Sequence, residues 1–95
     1  MASTKEYRDF IIDELSLLDG ITYKPMMGEY LLYYQNILFG GIYDDELLVK
    51  KTSGNEKYNL KEAIPYKGAK AMYLVSDVDN RKLLKDIVID TYNTL

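Results

Sequence analysis

The chain contains neither histidine nor cysteine among its 95 residues. Their absence removes the most common general base, the usual zinc ligands and the Cys and Ser-His nucleophile systems. We therefore expect a protein that is not an enzyme and needs no cofactor. The lack of cysteine also excludes disulfide bonds and fits a reducing compartment.

Long apolar runs are missing as well. No segment approaches the roughly 20 apolar residues that span a bilayer. The N-terminal sequence MASTKEYRDF has no apolar stretch of the kind that a secretory signal needs. We expect a cytoplasmic protein that does not engage a membrane.

Arginine is scarce, and acidic residues outnumber basic ones by 15 to 12, which gives a net charge of −3. Arg8 and Arg81 are the two arginines, and the lysines are scattered along the chain. Proteins that bind nucleic acids draw much of their affinity from clustered Lys and Arg that neutralise phosphates. Direct binding to nucleic acid is therefore not expected.

Tyrosine, by contrast, is abundant, with 10 residues in a chain that is 47% hydrophobic and 28% charged. The overall composition is ordinary for a folded domain. A chain of this length has room for one domain, which we predict over residues 1–95.

Two turn signals divide residues 24–50 into apolar runs of strand length. Gln35-Asn36 and Asp44-Asp45 suit two-residue hairpin turns, so this segment is predicted to form consecutive hairpins at the centre of the fold. Gly28 is predicted to mark a bulge or a tight turn. Pro25 indicates an edge strand or a break, because proline cannot donate a hydrogen bond to a ladder.

Side chains alternate across a strand, so the predicted hairpins, in which Leu32 pairs with Phe39, have two different faces. The aliphatic face, expected to lie under the helices, comprises Leu31, Tyr33, Leu38, Gly40, Ile42, Leu47 and Val49. The other face, aromatic and expected to be exposed, comprises Tyr30, Leu32, Tyr34, Ile37, Phe39, Tyr43, Glu46, Leu48 and Lys50.

A helix is predicted before these strands, over residues 3–19. Its apolar side chains recur at helical spacing, Ser3 and Glu6 form a capping-box pattern, and Gly20 is a natural stop.

After the hairpins, Asn59 is predicted to cap a short helix over residues 60–64, and a further strand follows at residues 69–75. Asp77 or Asp79 should cap a last helix that ends near Asn93. This order predicts an α+β fold: a two-layer sandwich in which an antiparallel sheet of about five strands has the N- and C-terminal helices on one face.

Two interpretations of the aromatic face stay open. The tyrosines can simply cover the sheet, with rings inward and hydroxyl groups in water. They can also form a surface for another protein or a second copy of the chain, since tyrosine is enriched at interfaces. The contact residues are then predicted to be Tyr30, Tyr34, Phe39 and Tyr43, with Lys24 and Glu29 at the rim.

The alternative function is binding of a small ligand or a divalent cation, at Asp44-Asp45-Glu46 or beneath the sheet. Tight turns also favour adjacent carboxylates, so we interpret these three residues as part of a turn rather than as a cation site. Gly40-Gly41 lies within a predicted strand and matches no phosphate-binding motif. Glycines there are expected to let another backbone or a ring approach closely.

Short motifs follow one another along the chain: Lys24-Pro25-Met26-Met27-Gly28-Glu29-Tyr30, Leu32-Tyr33-Tyr34, Leu38-Phe39-Gly40, Asp44-Asp45, Pro65-Tyr66 and Met72-Tyr73. In this order and spacing they resemble the N-terminal domain of the TfoX/Sxy family of bacterial competence regulators. Lys24 and Met27 stand where that family usually has Arg and Phe.

The resemblance implies a two-layer α+β fold like that of secretion chaperones, with no catalytic residues. It also implies a regulatory or adaptor role through protein–protein contacts, linked to competence or transcription. Many members carry a second, C-terminal domain, and this sequence ends at Leu95. We therefore expect a stand-alone N-terminal domain.

Overall fold

Two α-helices, six strands and one short 3-10 helix make up the structure, a computed structural model that describes residues 3–95. The order is α1 (Lys5–Glu14), β1 (Ile21–Met26), β2 (Glu29–Tyr34), β3 (Ile37–Tyr43), β4 (Glu46–Val49), the 3-10 helix (Glu56–Tyr58), β5 (Lys61–Ala63), β6 (Met72–Val75) and α2 (Arg81–Asn93). The predicted α+β class is confirmed. Met1 and Ala2, part of the predicted domain, lie outside the described residues.

Three two-residue turns join the first four strands into a meander. Met27-Gly28, Gln35-Asn36 and Asp44-Asp45 all have positive φ, from 50° to 85°. Such turns match the right-handed twist of the flanking strands. Both predicted hairpin turns and the tight turn at Gly28 are confirmed.

The six strands form one antiparallel sheet in the order β1-β2-β3-β4-β6-β5. Pro25 lies in β1, so the predicted edge position is confirmed. The sheet has one strand more than the predicted five, because residues 61–63 pair with β6 instead of forming the predicted helix. Asn59, with φ 53°, ends the 3-10 helix rather than starting a helix.

A β-bulge changes the register between β2 and β3. Tyr33 pairs with Leu38, but Leu32 pairs with Gly40, so Phe39 is an extra residue without a partner in β2. The predicted pairing of Leu32 with Phe39 is wrong. An extra residue in one strand shifts the alternation of side chains on its far side.

Because of the bulge, the predicted division into an aliphatic core face and an exposed aromatic face is wrong for β2 and the start of β3. Beyond the bulge it is right for Ile42, Leu47 and Val49, which lie in the core as predicted. Tyr30, Leu32 and Phe39, predicted to be exposed, lie in the core under the helices at 8%, 0% and 0% exposure. Leu31 and Leu38, predicted to lie under the helices, are half-buried and lie outside that core.

The core lies between the sheet and the two helices, so the predicted placement of both helices on one face is confirmed. It contains Ile11, Leu15, Leu18, Tyr30, Leu32, Phe39, Ile42, Leu47, Val49, Val75, Leu84, Ile87 and Val88. Helix α1 is shorter than predicted. Thr4, not Ser3, caps it through a hydrogen bond from the Tyr7 amide, and Asn80 rather than an aspartate caps α2.

Gly40 allows the bulge to pack against β4, and this gives a first prediction. A Cβ atom on Gly40 would collide with the Leu48 carbonyl oxygen and lie 2.9 Å from the Val49 Cα. Both are backbone atoms in the sheet and cannot rotate away. Gly40→Ala should therefore lower the free energy of unfolding by about 1–3 kcal/mol.

Urea denaturation followed by circular dichroism measures the change. The control is Ser53→Ala in an exposed loop, which should stay within about 0.5 kcal/mol of the parent chain. A Gly40→Ala variant as stable as this control would show that the strands do not approach so closely.

Candidate functional site

The sheet face opposite the helices carries a groove of about 820 Å³. We call it the open-face groove. It is lined by Met26, Leu31, Leu38, Gly40, Tyr43, Lys50, Lys51, Pro65, Tyr66, Ala69, Lys70, Ala71 and Met72. These residues come from four strands (β1, β2, β3 and β6), from the segment directly after β4, and from the loop that joins β5 to β6. A groove of this size and apolar lining is typical of sites for small molecules.

The β5–β6 loop, residues 64–71, lies over this face and forms one wall of the groove. Its Tyr66 ring lies 6.2 Å from the ring of Tyr43 on β3. Tyr43 and Leu48 are 6% and 1% exposed, and neither belongs to the core under the helices. The loop therefore covers the centre of the open face and leaves the groove beside it.

Gly41 makes room for the Tyr43 ring. A Cβ atom on Gly41 would lie 2.7 Å from that ring and 2.7 Å from the carbonyl oxygen of Tyr30. The expectation that the glycine pair permits close approach of a backbone or a ring is confirmed at both positions. Burial raises the pKa of the Tyr43 hydroxyl, with smaller effects from Tyr66 and Glu29, so the hydroxyl is neutral near pH 7.

The charges that line the open-face groove are all positive. Lys50, Lys51 and Lys70 contribute to it, and the lining contains no carboxylate. Lys51 is paired with Glu62 at 3.1 Å and lies 5.6 Å from the centre of the Tyr73 ring. Among residues 3–95, neither Lys50 nor Lys70 has a carboxylate within 4.0 Å.

Hydrogen bonds fix the backbone of Lys50 at the groove. Its N–H donates to the carbonyl oxygen of Phe39 at 2.8 Å, at the bulge. Its own carbonyl oxygen accepts a 2.7 Å bond from the side chain of Asn55, which is fully buried and also donates to Thr91 at 2.8 Å. The loop after β4 is thus fastened both to the sheet and to α2.

The 3-10 helix is fastened to α2 by a second polar cluster. The Tyr58 hydroxyl donates to Asp90 at 2.6 Å, and Lys57 pairs with the same carboxylate at 3.0 Å. Burial and the bond to Asp90 raise the pKa of Tyr58 to about 12. The bond from Tyr58 and the charge of Lys57 lower the pKa of Asp90.

The six predicted contact residues do not share one surface. Tyr30 and Phe39 are buried under the helices, and Tyr34 packs edge-on against Tyr92 of α2 with ring centres 4.9 Å apart. Tyr43 lines the open-face groove. These four cannot form a single aromatic contact face.

The remaining two predicted contact residues lie on the side of the open face. Lys24 is exposed and pairs with Leu31 in β2. Leu31 pairs with Gly41 in β3, which pairs with Leu48 in β4, so Lys24 lies on the same face as these residues. Glu29 is half-buried and lines a smaller cavity of about 370 Å³ beside the groove. Their part in partner binding stays a prediction.

Glu29 also links the start of α1 to two hairpin turns. Its carboxylate accepts hydrogen bonds from the N–H and hydroxyl of Ser3, at 2.9 and 2.6 Å, and from the N–H of Asp44 at 3.1 Å. Asp45 accepts a 2.8 Å bond from the Thr4 N–H, and its own N–H donates to the Ser3 hydroxyl at 3.0 Å. We call these residues the Ser3–Glu29 cluster.

The acidic sequence Asp44-Asp45-Glu46 is therefore explained as a turn, with φ of 52° and 56° at the two aspartates. Within residues 3–95 there is no group of three or more Asp, Glu, His or Cys side chains that could hold a metal ion. In the same part of the chain, neither helix is long and apolar enough to cross a membrane.

Among curated proteins, the chain is similar to an uncharacterized 12.7 kDa protein from the region 5′ of trpE in Spirochaeta aurantia. The two are 30% identical over 80 residues, which cover 82% of this chain and 70% of the spirochaete protein. This chain belongs to the same family. No family model and no solved structure matches it. The resemblance to the TfoX/Sxy regulators stays a prediction.

Most of the residues that line the open-face groove were not predicted from the sequence. Lys70 and Ala71 belong to no motif, Met72 was noted only for its place in the Met72-Tyr73 motif and in a predicted strand, and residues 64–71 were not expected to fold over the sheet. One signal was available. Glycine inside a strand often marks a bulge, and Gly40 directly follows the residue that bulges.

The Ser3–Glu29 cluster gives the second prediction. Glu29→Ala leaves the Asp44 amide and the Ser3 hydroxyl without their carboxylate acceptor, while the Ser3 amide keeps the carbonyl oxygen of Gly28. Bonds to a charged group are worth about 1.5–3 kcal/mol each at most. Because Glu29 is only half-buried, we expect a loss of about 1–2 kcal/mol in the free energy of unfolding.

The measurement is a double-mutant cycle of Glu29→Ala and Ser3→Ala by chemical denaturation, which should give a coupling energy above about 0.5 kcal/mol. Glu6→Ala is the control, since Glu6 is exposed and belongs to the capping box that the structure does not form. Additive effects of the two substitutions would mean that the cluster does not act as a unit.

Proposed function

We propose that this chain is a non-enzymatic regulatory or adaptor domain that binds another protein on the open face of its sheet, in the cytoplasm. The observation that carries the proposal is that the helices cover one face of the sheet, while the other presents apolar side chains around a groove. An exposed apolar surface of this kind is typical of an interaction site.

The rim of this face holds three of the most exposed large apolar side chains. Met27, Ile64 and Tyr66 are 97%, 63% and 57% exposed. Ile64 and Tyr66 line the smaller cavity together with Glu29, and Met27 lies in the turn two residues before Glu29. We call Met27, Ile64 and Tyr66 the apolar rim.

Met27 also supports the proposal, because the backbone conformation at its position in the turn is unfavourable for methionine. Its φ is 50°, in the left-handed region, where a residue with a Cβ atom pays about 1–2 kcal/mol relative to glycine. Nothing buries its side chain in return. A contact outside the chain would bury this exposed methionine and offset the cost of its backbone conformation.

The resemblance to the TfoX/Sxy regulators also favours this proposal. The motif Lys24-Pro25-Met26-Met27-Gly28-Glu29-Tyr30 carries that resemblance and covers β1 and the turn at the apolar rim. On this ground we propose that the partner takes part in the control of transcription, as in competence regulation.

The proposal predicts that Met27→Asn stabilises the chain and yet weakens partner binding. Asparagine tolerates positive φ better than methionine, so the free energy of unfolding should rise by a fraction of the roughly 1–2 kcal/mol at stake. The combined variant Met27→Asn, Tyr66→Ser should reduce affinity for the partner at least tenfold.

The partner is first captured from a bacterial lysate and then purified, and its affinity is measured by titration calorimetry. The matched control is Leu17→Ser, Leu95→Ser, which removes side chains of similar exposure, 53% and 50%, away from the apolar rim. Affinity lost in the control and kept in the rim variant would contradict the proposal, as would a wild-type chain that binds no protein.

A further inference from the structure

We propose that the open-face groove binds a small amphipathic carboxylate, that is, an aliphatic or aromatic body that ends in one carboxylate group. This inference goes beyond the proposed contact with another protein, because Met27 and Ile64 of the apolar rim do not line the groove, and Tyr66 borders both. The body would lie on the apolar floor and the carboxylate against the lysines.

The shape and lining of the groove fit the body of such a ligand. Leu31, Leu38 and Met72 are half-buried side chains on the sheet, and Pro65 and Ala69 face them from the loop. The volume of about 820 Å³ falls within the roughly 300–1,000 Å³ of most small-molecule sites. The floor lies on regular strands, so it exists before a ligand arrives.

The charge of the groove fits the head group. Three lysines line it in a chain whose net charge is −3, and no carboxylate is among the lining residues. Glu62 already neutralises Lys51. Lys50 is half-buried, its backbone is fixed at both ends, and no acidic side chain of residues 3–95 pairs with its ammonium group. A partly buried cation gains most from an anion that shares its apolar surroundings.

The same lining disfavours other occupants. A peptide segment brings N–H donors that need acceptors, and the side-chain acceptors in the lining are the hydroxyl groups of Tyr43 and Tyr66. A nucleic acid needs a longer track of positive charge than three lysines provide. A divalent cation would be repelled by the ammonium groups and would find no carboxylate.

The test uses the full chain and two probes with the same ten-carbon body, decanoate and 1-decanol. Nitrogen–proton correlation spectra follow the backbone amides during each titration. Decanoate should shift the amides of Leu31, Leu38 and Met72 and bind at least tenfold more tightly than decanol. Equal affinity for both probes, shifts confined to the helices, or no binding at all would each overturn the proposal.

Lysine variants test the charge separately from the apolar floor. Lys50→Met, Lys70→Met should lower the affinity for decanoate at least tenfold and leave that for decanol unchanged. The control Lys5→Met, Lys82→Met removes two exposed lysines on the helices and should change neither affinity. If the control weakens decanoate binding as much as the groove variant does, only net charge matters and the inference is wrong.

A third variant keeps the proposal testable if the lysine substitutions disturb the loop. Ala71→Phe places a ring in the groove and should abolish binding of both probes, while an unchanged affinity would overturn the inference. All variants are also tested against the captured protein partner. In the unsubstituted chain, partner binding without any decanoate binding would refute this inference and leave the proposed function in place.

Discussion

An unequal pairing of strands decides which side chains of this sheet lie under the helices. Two residues of β3, Phe39 and Gly40, face one residue of β2, Leu32. Phe39 thereby enters the core, where burial of a side chain of its size contributes about 1.5–3 kcal/mol. The absence of a side chain on Gly40 lets β4 approach at the same point.

The bulge also determines the open face. Beyond it, Gly41 and Tyr43 lie on the side away from the helices, and Tyr43 forms part of the groove. The carbonyl group of Phe39 binds the amide of Lys50, so the same irregularity that places a ring in the core places a lysine at the groove. Core and candidate site thus depend on one local feature.

Much of the fold could be predicted from the sequence, because its signals are local. The three hairpin turns, the edge position of Pro25 and the stripe of Leu84, Ile87 and Val88 on α2 follow from residue type and spacing. The helix caps were predicted a residue or more away from their places. At the first helix, Ser3 binds Glu29 and Asp45 instead, and a sequence does not show such a contact.

The candidate site was much less accessible to prediction. A one-residue change of register moves the side chains on one side of it to the other face, so a single missed bulge exchanged the predicted faces in β2 and the start of β3. Residues beyond the bulge, such as Ile42 and Val49, were placed correctly. The predicted helix over residues 60–64 is a strand because pairing with β6 outweighs the weak local preference of that segment. The loop over the groove joins this strand to β6, so a prediction that lacks β5 cannot place the loop.

The central claim is that Phe39 lies under the helices while the groove side of the sheet stays open. The most direct measurement is a set of proton–proton Overhauser contacts from the ring of Phe39 in solution. We expect contacts with the methyl groups of Leu84, Ile87 and Val88 on α2, which share the core with Phe39. A Phe39 ring that shows no contact with α2 and instead contacts Tyr66 or Met72 in the groove would contradict the account.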